Sequence, residues 1–321
     1  MTDGIFWGLP VILYLFLAGM GAGATTVSAS MLLRGGGGAR GEHHEIARYG
    51  AILGPWPVIV GTALIILELG SFEVGNYFRF INLFLGVYFT SPMSVGTWLL
   101  GLFIATSLVY AWTYIRSLPM VYFDRHKLRR VMAWVNIPLG LAVAVYTGVM
   151  LGAMPARPFW NSPVLALLFV LSALSGGIAM IIFTRAIFHR SDMDGEESRL
   201  SQRSGYILAA SDMILIGFEI LAIFLFLMFA YLSVGDVRYA IEAILPGGPL
   251  AGLFWGGVVL IGLILPGLIE LYYVTPALLY RREFTAPRYM DMTIAAAVIL
   301  GGFVLRYVVV MAGQITGPVG V

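Results

Sequence analysis

Residues 7–33 read WGLPVILYLFLAGMGAGATTVSASMLL and contain no charged side chain. A transmembrane α-helix needs about 20 predominantly apolar residues to cross the hydrocarbon core of a bilayer. The stretch therefore predicts a membrane-spanning helix. Its centre, AGMGAGA at 18–24, consists mostly of small residues that let neighbouring helices approach closely. The stretch has no basic segment before it and is too long for the apolar core of a signal peptide, so we expect it to remain as a helix.

The composition of the whole chain also places it in a membrane. Of its 321 residues, 60% are hydrophobic and 11% are charged, against roughly 45–50% and about 25% in soluble domains. The net charge of +2 is too small to indicate a nucleic-acid partner. The absence of cysteine excludes disulfides, iron–sulfur clusters and thiolate metal sites from this chain, so any such centre must lie on a partner.

Seven further apolar runs follow, and the sequence therefore predicts an all-α integral membrane protein with eight transmembrane helices. The predicted spans are residues 7–33, 51–69, 94–115, 131–152, 163–188, 206–233, 251–273 and 291–313. Small-residue faces occur at 18–24 in span 1 and at 172–177 in span 5, which suggests two parallel halves. We expect two four-helix bundles, residues 1–152 and 153–321.

Basic residues predict the orientation of these spans. Most arginine and lysine residues flank or lie in the loops after spans 1, 3, 5 and 7, whereas the opposite side carries Arg79, Arg157 and Arg238. Positive charge marks the cytoplasmic side, so we expect both termini on the outer, periplasmic side. The outer loop 71–93 is rich in Phe and Tyr, which indicates an interfacial segment that anchors in lipid or forms a lid or docking surface.

Histidine placement excludes one common redox role. A transmembrane b-type haem needs axial imidazoles inside the helices, but the histidines lie in or beside the basic loops. They are His43, His44, His126 and His189. We expect no haem in this chain, and we expect these histidines to be solvated.

Carboxylates inside the predicted spans are candidates for proton transfer. A central Asp costs about 2.5–3.5 kcal/mol on insertion scales, and such residues are functional by default. The acids within or at the start of spans are Glu68, Asp212, Glu219, Glu270 and Asp291, and Arg306 is a cation within span 8. Asp212 and Glu219 are seven residues apart and share one helix face. As a set the acids predict a proton or ion path, while structural hydrogen bonding or pairing with Arg306 is the alternative for each acid alone.

Hydroxyl, carboxyl and aromatic side chains converge at the outer ends of spans 1 to 4. They are Trp7, Tyr14, Glu68, Trp98 and Tyr146, together with Arg157 and Trp160 in the loop after span 4. A quinone needs hydrogen-bonding groups for two carbonyls and an apolar cleft for its ring and tail. The cluster can supply both. The alternative is an ordinary interfacial belt, because Tyr and Trp gather at membrane surfaces in any case.

Four segments resemble one known family. They are PVILYLFLAGMGAGA at 10–24, SPMSVGTW at 91–98, YTG at 146–148 and GGFVLRYVVVMAGQ at 301–314. In content and order they are similar to the NrfD/polysulfide reductase membrane-subunit family, and the likeness runs over essentially the whole chain. Members are quinone-interacting membrane subunits of respiratory oxidoreductase complexes. The resemblance implies electron exchange between membrane quinone, either menaquinone or ubiquinone, and iron–sulfur clusters on a partner.

The resemblance also implies partners and individual site residues. The partners would be a ferredoxin-like iron–sulfur subunit on the outer face and a molybdopterin catalytic subunit. The family's pocket tyrosine matches Tyr146, and its polar position on the first helix, a histidine in the polysulfide reductase type, falls at about Tyr14. An asparagine of that type aligns with an apolar position near Val11, and these departures leave the terminal acceptor open. Glu68 matches an acid that is a candidate for taking the quinol proton, and Trp98 and Trp160 would wall the pocket.

Two other functions fit the same residues. A secondary transporter would use the buried acids to couple ion and substrate movement, and it predicts broken helices at mid-depth. The sequence GLILPG at 262–267 in span 7 is the candidate break. A pure membrane anchor would leave the quinone chemistry to another subunit.

Overall fold

The computed structural model of the chain describes residues 7–35, 43–70, 91–115, 125–188, 195–280 and 287–317. Within these ranges eight helices are long and apolar enough to cross a membrane, which confirms the predicted number of spans. Spans 1 to 8 are Leu9–Gly35, His44–Glu68, Pro92–Trp112, Arg125–Gly152, Pro163–Ile187, Arg199–Leu232, Leu253–Tyr280 and Arg288–Ile315. No strand occurs in these ranges, so the fold is all-α. Most of the predicted interfacial loop, residues 71–90, lies outside the described part of the chain.

The helices extend beyond the apolar runs, chiefly at the ends that carry the basic residues. Span 4 begins at Arg125 rather than at residue 131, and span 6 at Arg199 rather than at residue 206. The helix of span 6 begins still earlier, as Gly195–Leu232. Backbone hydrogen bonding continues regardless of side-chain polarity, so a helix can project past the bilayer until another signal ends it. Hydropathy therefore locates the membrane crossing but underestimates the length of the helix.

Two spans depart from a single regular α-helix. Span 2 consists of the helices His44–Leu53 and Pro55–Gly70, with Gly54 between them. Proline suits the first position of a helix because its missing N–H would have no partner there. A short helix, Asp236–Ile241, precedes span 7. Span 7 then begins as a π-helix, Leu253–Ile264, and continues as the α-helix Leu265–Tyr280, so the predicted break is a change of helix type without a gap.

Span 1 lies at the centre of the helix bundle and is almost wholly buried. It contacts spans 2, 4, 5 and 8. Its crossing with span 5 brings two backbones together, because a Cβ on Gly23 would overlap the carbonyl of Ala173. A Cβ on Gly177 would likewise overlap the backbone of Gly23 and Ala24. Glycine on both helices allows this close packing, as small residues do generally between membrane helices.

Both ends of the described chain lie on the same side of the bundle. The Trp7 N–H donates to Oε1 of Gln314 at 2.9 Å, and Nε2 of Gln314 donates to the Trp7 carbonyl at 3.1 Å. We call this side the terminal face. The opposite side, where the basic residues flank the helix ends, is called the basic face.

A Gly23→Ala substitution is expected to destabilise the protein, because the new Cβ would meet backbone atoms of span 5 that cannot move aside. The expected loss is about 1–3 kcal/mol, as in other overpacked cores. Gly217→Ala in span 6 is the matched control, since a Cβ there has no atom within 4 Å. The control should stay within about 1 kcal/mol of the parent, because alanine is the better helix former. The measurement is the thermal unfolding midpoint in a single detergent, and equal midpoints for the two variants would contradict the close crossing.

Candidate functional site

Tyr14 and Tyr146 are brought together in the interior, although they come from spans 1 and 4. Both side chains are buried, and their hydroxyl groups interact. The Tyr146 hydroxyl also donates to Sδ of Met150 at 3.4 Å. A thioether is a weak hydrogen-bond acceptor, so the hydroxyl can donate instead to a stronger acceptor. The pair thus offers two phenol hydroxyls in apolar surroundings.

Glycines on two neighbouring spans make room for this tyrosine pair. A Cβ on Gly96 of span 3 would overlap the ring and hydroxyl of Tyr146. A Cβ on Gly61 of span 2 would lie 3.3 Å from the Cα and carbonyl oxygen of Tyr14. The position of the Tyr146 ring therefore depends on the missing side chain at residue 96.

Trp160 is part of a cluster that closes the terminal face. Its indole stacks on that of Trp7, with ring centroids 5.2 Å apart. Its Nε1 donates to the carbonyl oxygen of Val309 at 2.7 Å. The indole occupies the space over Gly313, where a Cβ would overlap it. Trp160 therefore joins the start of span 1 to the end of span 8.

Arg157 has a similar connecting position. Its Nη1 donates to the carbonyl oxygen of Gln314 at 3.0 Å. This carbonyl lies in the last turn of span 8, where helix carbonyls lack intrahelical partners and the helix dipole attracts a cation. The guanidinium thus caps span 8.

Glu68 and Trp98 lie apart from the tyrosine pair. Glu68 is exposed, and its Oε1 would be 4.0 Å from a Cβ on Gly8, just before span 1. Trp98 is 48% exposed. It follows Gly96 by two positions, which in an α-helix directs it to the opposite side from the face that receives Tyr146.

The three remaining predicted acids are buried among spans 5 to 8. Asp212, Glu219 and Glu270 expose 0%, 4% and 1% of their surface. Among the described residues, the carboxyl oxygens of Asp212 and Glu270 have no hydrogen-bond partner. Ser175 of span 5 lies close to both Asp212 and Glu219. Unpaired buried carboxyl groups are costly, so Asp212 and Glu270 are candidates for a functional role.

Arg306 is the cation of this interior. Its guanidinium donates to the hydroxyl of Ser172 and to the carbonyl oxygens of Phe169 and Gly302, the latter two at 3.2 Å. Its Cζ also lies 4.8 Å from the centroid of the Phe169 ring. The charges of Arg306 and Glu219 attract each other. Backbone and hydroxyl contacts from span 5 therefore fix the cation beside the acids.

The ionisable groups follow one another through the bundle. Electrostatic interactions join Asp291 to Glu270, Glu270 to Asp212, Asp212 to Glu219, and Glu219 to Arg306. We call these five residues the acid line. Asp291 and Arg306 belong to the same helix, and the residues between them correspond to about 22 Å of rise. The acid line therefore extends from the basic face to the middle of the bundle and somewhat beyond.

Sequence reasoning missed three residues that position these acids. Ser172 and Ser175 belong to the small-residue face of span 5, which predicted only close helix packing. Arg185 lies in the last turn of span 5, where a basic residue is ordinary. Its charge attracts Asp291 in the structure. Whether such a residue contacts an ionisable side chain depends on its azimuth, the direction in which it points around the helix axis. That direction relative to the other helices is fixed by how the helices cross.

A separate polar cluster joins spans 1, 3 and 4 near the basic face. The Tyr110 hydroxyl lies 3.1 Å from Oγ of Ser28 and 3.4 Å from the Tyr114 hydroxyl. The Arg129 Cζ lies 3.9 Å from the centroid of the Tyr114 ring, and its Nη2 donates to the Thr113 carbonyl at 2.6 Å. Burial raises the pKa of Tyr114 well above its ordinary value. This cluster is neutral at its tyrosines and holds the helix ends together.

The histidines differ from the prediction in one case. His43 is buried, so the expected solvation is wrong for this residue, because the end of span 1 packs against its ring at Gly35. His126 is exposed, and His189 lies outside the described residues. Within the described ranges, no group of three or more His, Cys, Asp or Glu side chains could hold a metal ion.

Comparison with known proteins decides the family. The family model described as "Polysulphide reductase, NrfD" matches residues 1–318. The chain belongs to the NrfD family. It is 28% identical to Protein NrfD of Escherichia coli K12, over 98% of this chain and 96% of that protein. It is also 28% identical to the C chain of polysulfide reductase from Wolinella succinogenes, over 97% and 95%. The C subunit of selenate reductase from Mesobacillus selenatarsenatis is 22% identical, over 84% and 67%.

Membership of the NrfD family confirms the resemblance found in the sequence. Together with the eight apolar helices, it identifies a multi-pass protein of the cell membrane. Two of these relatives carry the names of reductase subunits, one for polysulfide and one for selenate.

An Arg306→Met substitution in this NrfD-family chain is expected to destabilise it by about 3 kcal/mol or more, because it leaves buried Glu219 without its cation. In a Glu219→Gln background the same substitution should cost less, since the uncompensated carboxylate is gone. Thermal midpoints of the two single variants and the double variant measure the difference. Equal losses in both backgrounds would mean that Arg306 and Glu219 act independently, and Ser172→Ala controls for loss of one guanidinium contact.

Proposed function

We propose that this NrfD-family chain is the membrane anchor and quinone-binding subunit of a respiratory oxidoreductase complex. It would exchange electrons between membrane quinone and an iron–sulfur partner. The observation that carries the proposal is the Tyr14–Tyr146 pair, whose two hydroxyls meet in an apolar interior. A quinone presents two carbonyl acceptors on an apolar ring, and the pair supplies matching donors.

The residues around the pair have distinct proposed roles. When bound, a quinone supplies redox chemistry that takes up or releases two electrons and two protons. Tyr14 and Tyr146 would orient it by donating to its oxygens. Glu68, exposed at the terminal face, would exchange protons with the medium there. Trp98, on the exposed side of span 3, would contribute to the wall on the membrane side.

Trp160 and Arg157 complete the proposed site at the terminal face. Both bind backbone carbonyls of span 8. They would therefore hold the end of span 8 against the start of span 1, on the outer side of the quinone. The indole of Trp160 is buried in this position, where it would exclude water from a quinone bound at the tyrosine pair.

The proposed orientation follows from the positive charges. The terminal face would be the outer, periplasmic side, because the basic residues flank the other ends of the spans. A ferredoxin-like iron–sulfur subunit would dock on the terminal face, since a chain without cysteine cannot hold such clusters itself. A molybdopterin catalytic subunit would attach beyond it, and the reductase-subunit names of the relatives support such a complex.

We propose that the two halves expected from the sequence differ in function. Residues 1–152 hold the tyrosine pair and would form the quinone-binding bundle. Residues 153–321 hold the acid line, in which Asp212, Glu219, Glu270 and Arg306 would transfer protons. One of the contacts between the two halves is at Arg306, because a Cβ on Gly19 of span 1 would lie 3.6 Å from its Nη2.

This contact places the acid line near the tyrosine pair. Gly19 follows Tyr14 by five positions, which is about 7.5 Å along the helix. At that distance in a low-dielectric interior, a change of charge at Glu219 or Arg306 acts on groups at the pair. Proton transfer in residues 153–321 can therefore respond to the redox state of a quinone held by residues 1–152.

A Tyr146→Phe substitution tests the quinone role. It removes one hydroxyl donor and keeps the ring, so quinol-dependent turnover of the assembled complex should fall about 2- to 12-fold for one lost hydrogen bond. Tyr110→Phe is the matched control, because Tyr110 is also buried but bonds to Ser28 near the basic face. The control should keep its turnover, and both variants should assemble with their partners.

Gly96→Ala provides a second route to the same test. The added methyl would displace the Tyr146 ring without removing its hydroxyl, so turnover should fall here as well. Unchanged turnover in both Tyr146→Phe and Gly96→Ala complexes would refute the quinone assignment and leave a pure membrane anchor. Substrate uptake by vesicles containing this chain alone would instead support a transporter.

A further inference from the structure

Met150 lies one helical turn after Tyr146 on span 4. Residues four apart on an α-helix are neighbours on its surface, so the two side chains can touch. Both are buried, and both belong to the main hydrophobic core. The hydrogen bond from the Tyr146 hydroxyl to Sδ of Met150, at 3.4 Å, joins them. Met150 therefore contacts one of the two hydroxyls that would orient a quinone.

The direction of this hydrogen bond is fixed by the chemistry of its two partners. A thioether has no hydrogen to give, so the hydrogen must come from Tyr146. A phenol carries a single O–H hydrogen, but its oxygen can also accept. While Tyr146 donates to Met150, its oxygen therefore remains able to accept a second hydrogen bond. A hydrogen bond between the two tyrosine hydroxyls must then use the hydrogen of Tyr14.

The surrounding helices hold the Tyr146 ring in place beside Met150. Span 3 passes directly against the ring at Gly96, where a Cβ would overlap the ring and its hydroxyl. Rotation of the hydroxyl hydrogen moves no other atom, so it is the easiest way to change the hydrogen-bond pattern. The hydrogen can point to Met150 or to another acceptor. The sulfur therefore competes with any other acceptor for the hydrogen of Tyr146.

The two redox forms of a quinone make different demands on this hydroxyl. The oxidised form has carbonyl oxygens, which only accept, so Tyr146 must turn its hydrogen away from Met150 to bind it. The reduced form, the quinol, has hydroxyl groups, which can donate. A quinol hydroxyl can donate to the Tyr146 oxygen while Tyr146 continues to donate to Met150. The Tyr146–Met150 hydrogen bond is therefore compatible with bound quinol and is lost with bound quinone.

We propose that Met150 is a positioning residue that makes the site favour quinol over quinone, because its sulfur holds the hydrogen of Tyr146. The inference rests on the proposed quinone site and adds the redox state that this site selects. The preference is modest, since a thioether is a weak acceptor and a quinone carbonyl can still take the hydrogen from it. A strong acceptor such as a carboxylate at position 150 would retain the hydrogen and hinder quinone binding.

A preference for quinol affects the electron exchange of the site. Tighter binding of the reduced form favours reduction, so it raises the midpoint potential of bound quinone relative to free quinone. Met150 in this way adjusts the driving force for electron exchange with the iron–sulfur partner. Because Met150 acts through Tyr146, its effect depends on the tyrosine hydroxyl. A residue that only filled space at position 150 would have no such dependence.

Binding of both redox forms to a Met150→Leu chain tests this role. Leucine nearly conserves the volume of methionine and removes the acceptor. The probe is a short-tailed menaquinone or ubiquinone, whichever the parent binds, titrated anaerobically as quinone and as quinol into the full chain in nanodiscs. Without cysteine the chain holds no iron–sulfur cluster that could exchange electrons with the probe. The ratio of the quinone Kd to the quinol Kd should fall about 2- to 4-fold, because the lost hydrogen bond is weak.

Two comparisons separate this role from a loss of packing. In a Tyr146→Phe background, Met150→Leu should leave the ratio unchanged, because no hydroxyl remains for the sulfur to hold. Met132→Leu, the same change in the same helix toward the basic face, should keep the parent ratio. Met150→Ile is the second choice if the leucine variant does not fold. A parent-like ratio in folded Met150→Leu, or an equal shift without the Tyr146 hydroxyl, would overturn the role of Met150, whereas a parent that binds neither form would refute the quinone assignment itself.

The hydrogen bond itself can be tested without quinone. Ring vibrations of tyrosine in ultraviolet resonance Raman spectra change when the hydroxyl stops donating. The difference between Met150→Leu and parent chains should show an altered tyrosine, and it should disappear when both chains also carry Tyr146→Phe. Identical spectra of Met150→Leu and the parent would show that Tyr146 does not donate to Met150, and the inference would fail whatever the outcome for the quinone site.

Discussion

The close crossing of spans 1 and 5 is the contact on which the rest of the structure depends. Gly23 and Gly177 let two helix backbones touch, and no residue with a Cβ could stand at either position without moving a helix. In lipid there is little hydrophobic force between helices, so close packing of this kind has to hold them together. Because span 1 also contacts span 8, the same crossing brings Gly19 against Arg306. The tyrosine pair and the acid line therefore belong to one packed body.

Polar groups inside this packed body differ in whether they have hydrogen-bond partners. Near the two faces, Trp160 donates to a carbonyl of span 8, and Arg129 donates to a carbonyl at the end of span 3. Along the acid line, the carboxyl oxygens of Asp212 and Glu270 are buried without partners among the described residues. An unpaired buried polar group costs about 1–3 kcal/mol, and more when it is charged. This cost supports the proposal that the two acids transfer protons, whereas Trp160 and Arg129 hold the helices together.

Hydropathy predicted the eight spans because membrane crossing depends on the summed polarity of about 20 residues. It could not predict the ends of the helices, since backbone hydrogen bonding continues past the bilayer, as at Arg125. Tyr14 and Tyr146 lie at similar depths in spans 1 and 4, which suggested that they could meet. Depth did not predict that Trp98 would face outward, or that Arg185 would reach Asp291. Those outcomes depend on the azimuth of each residue, which is fixed by the crossing of helices far apart in sequence.

The π-helix in span 7 shows how azimuth enters function. A π-helix has more residues per turn than an α-helix, so Leu253–Ile264 rotates every later residue relative to a regular helix. On its inner side, Gly262 lies against the backbone of Gly301, and Gly257 lies against Val304, which keeps span 7 on span 8. In the α-helix that follows, Glu270 is buried while Leu268 and Leu271 face outward. If span 7 were α-helical throughout and kept the same contact with span 8, Glu270 would point in another direction. The π-helix therefore directs Glu270 toward Asp212 and Asp291, in agreement with the frequent occurrence of π-helical turns at functional sites.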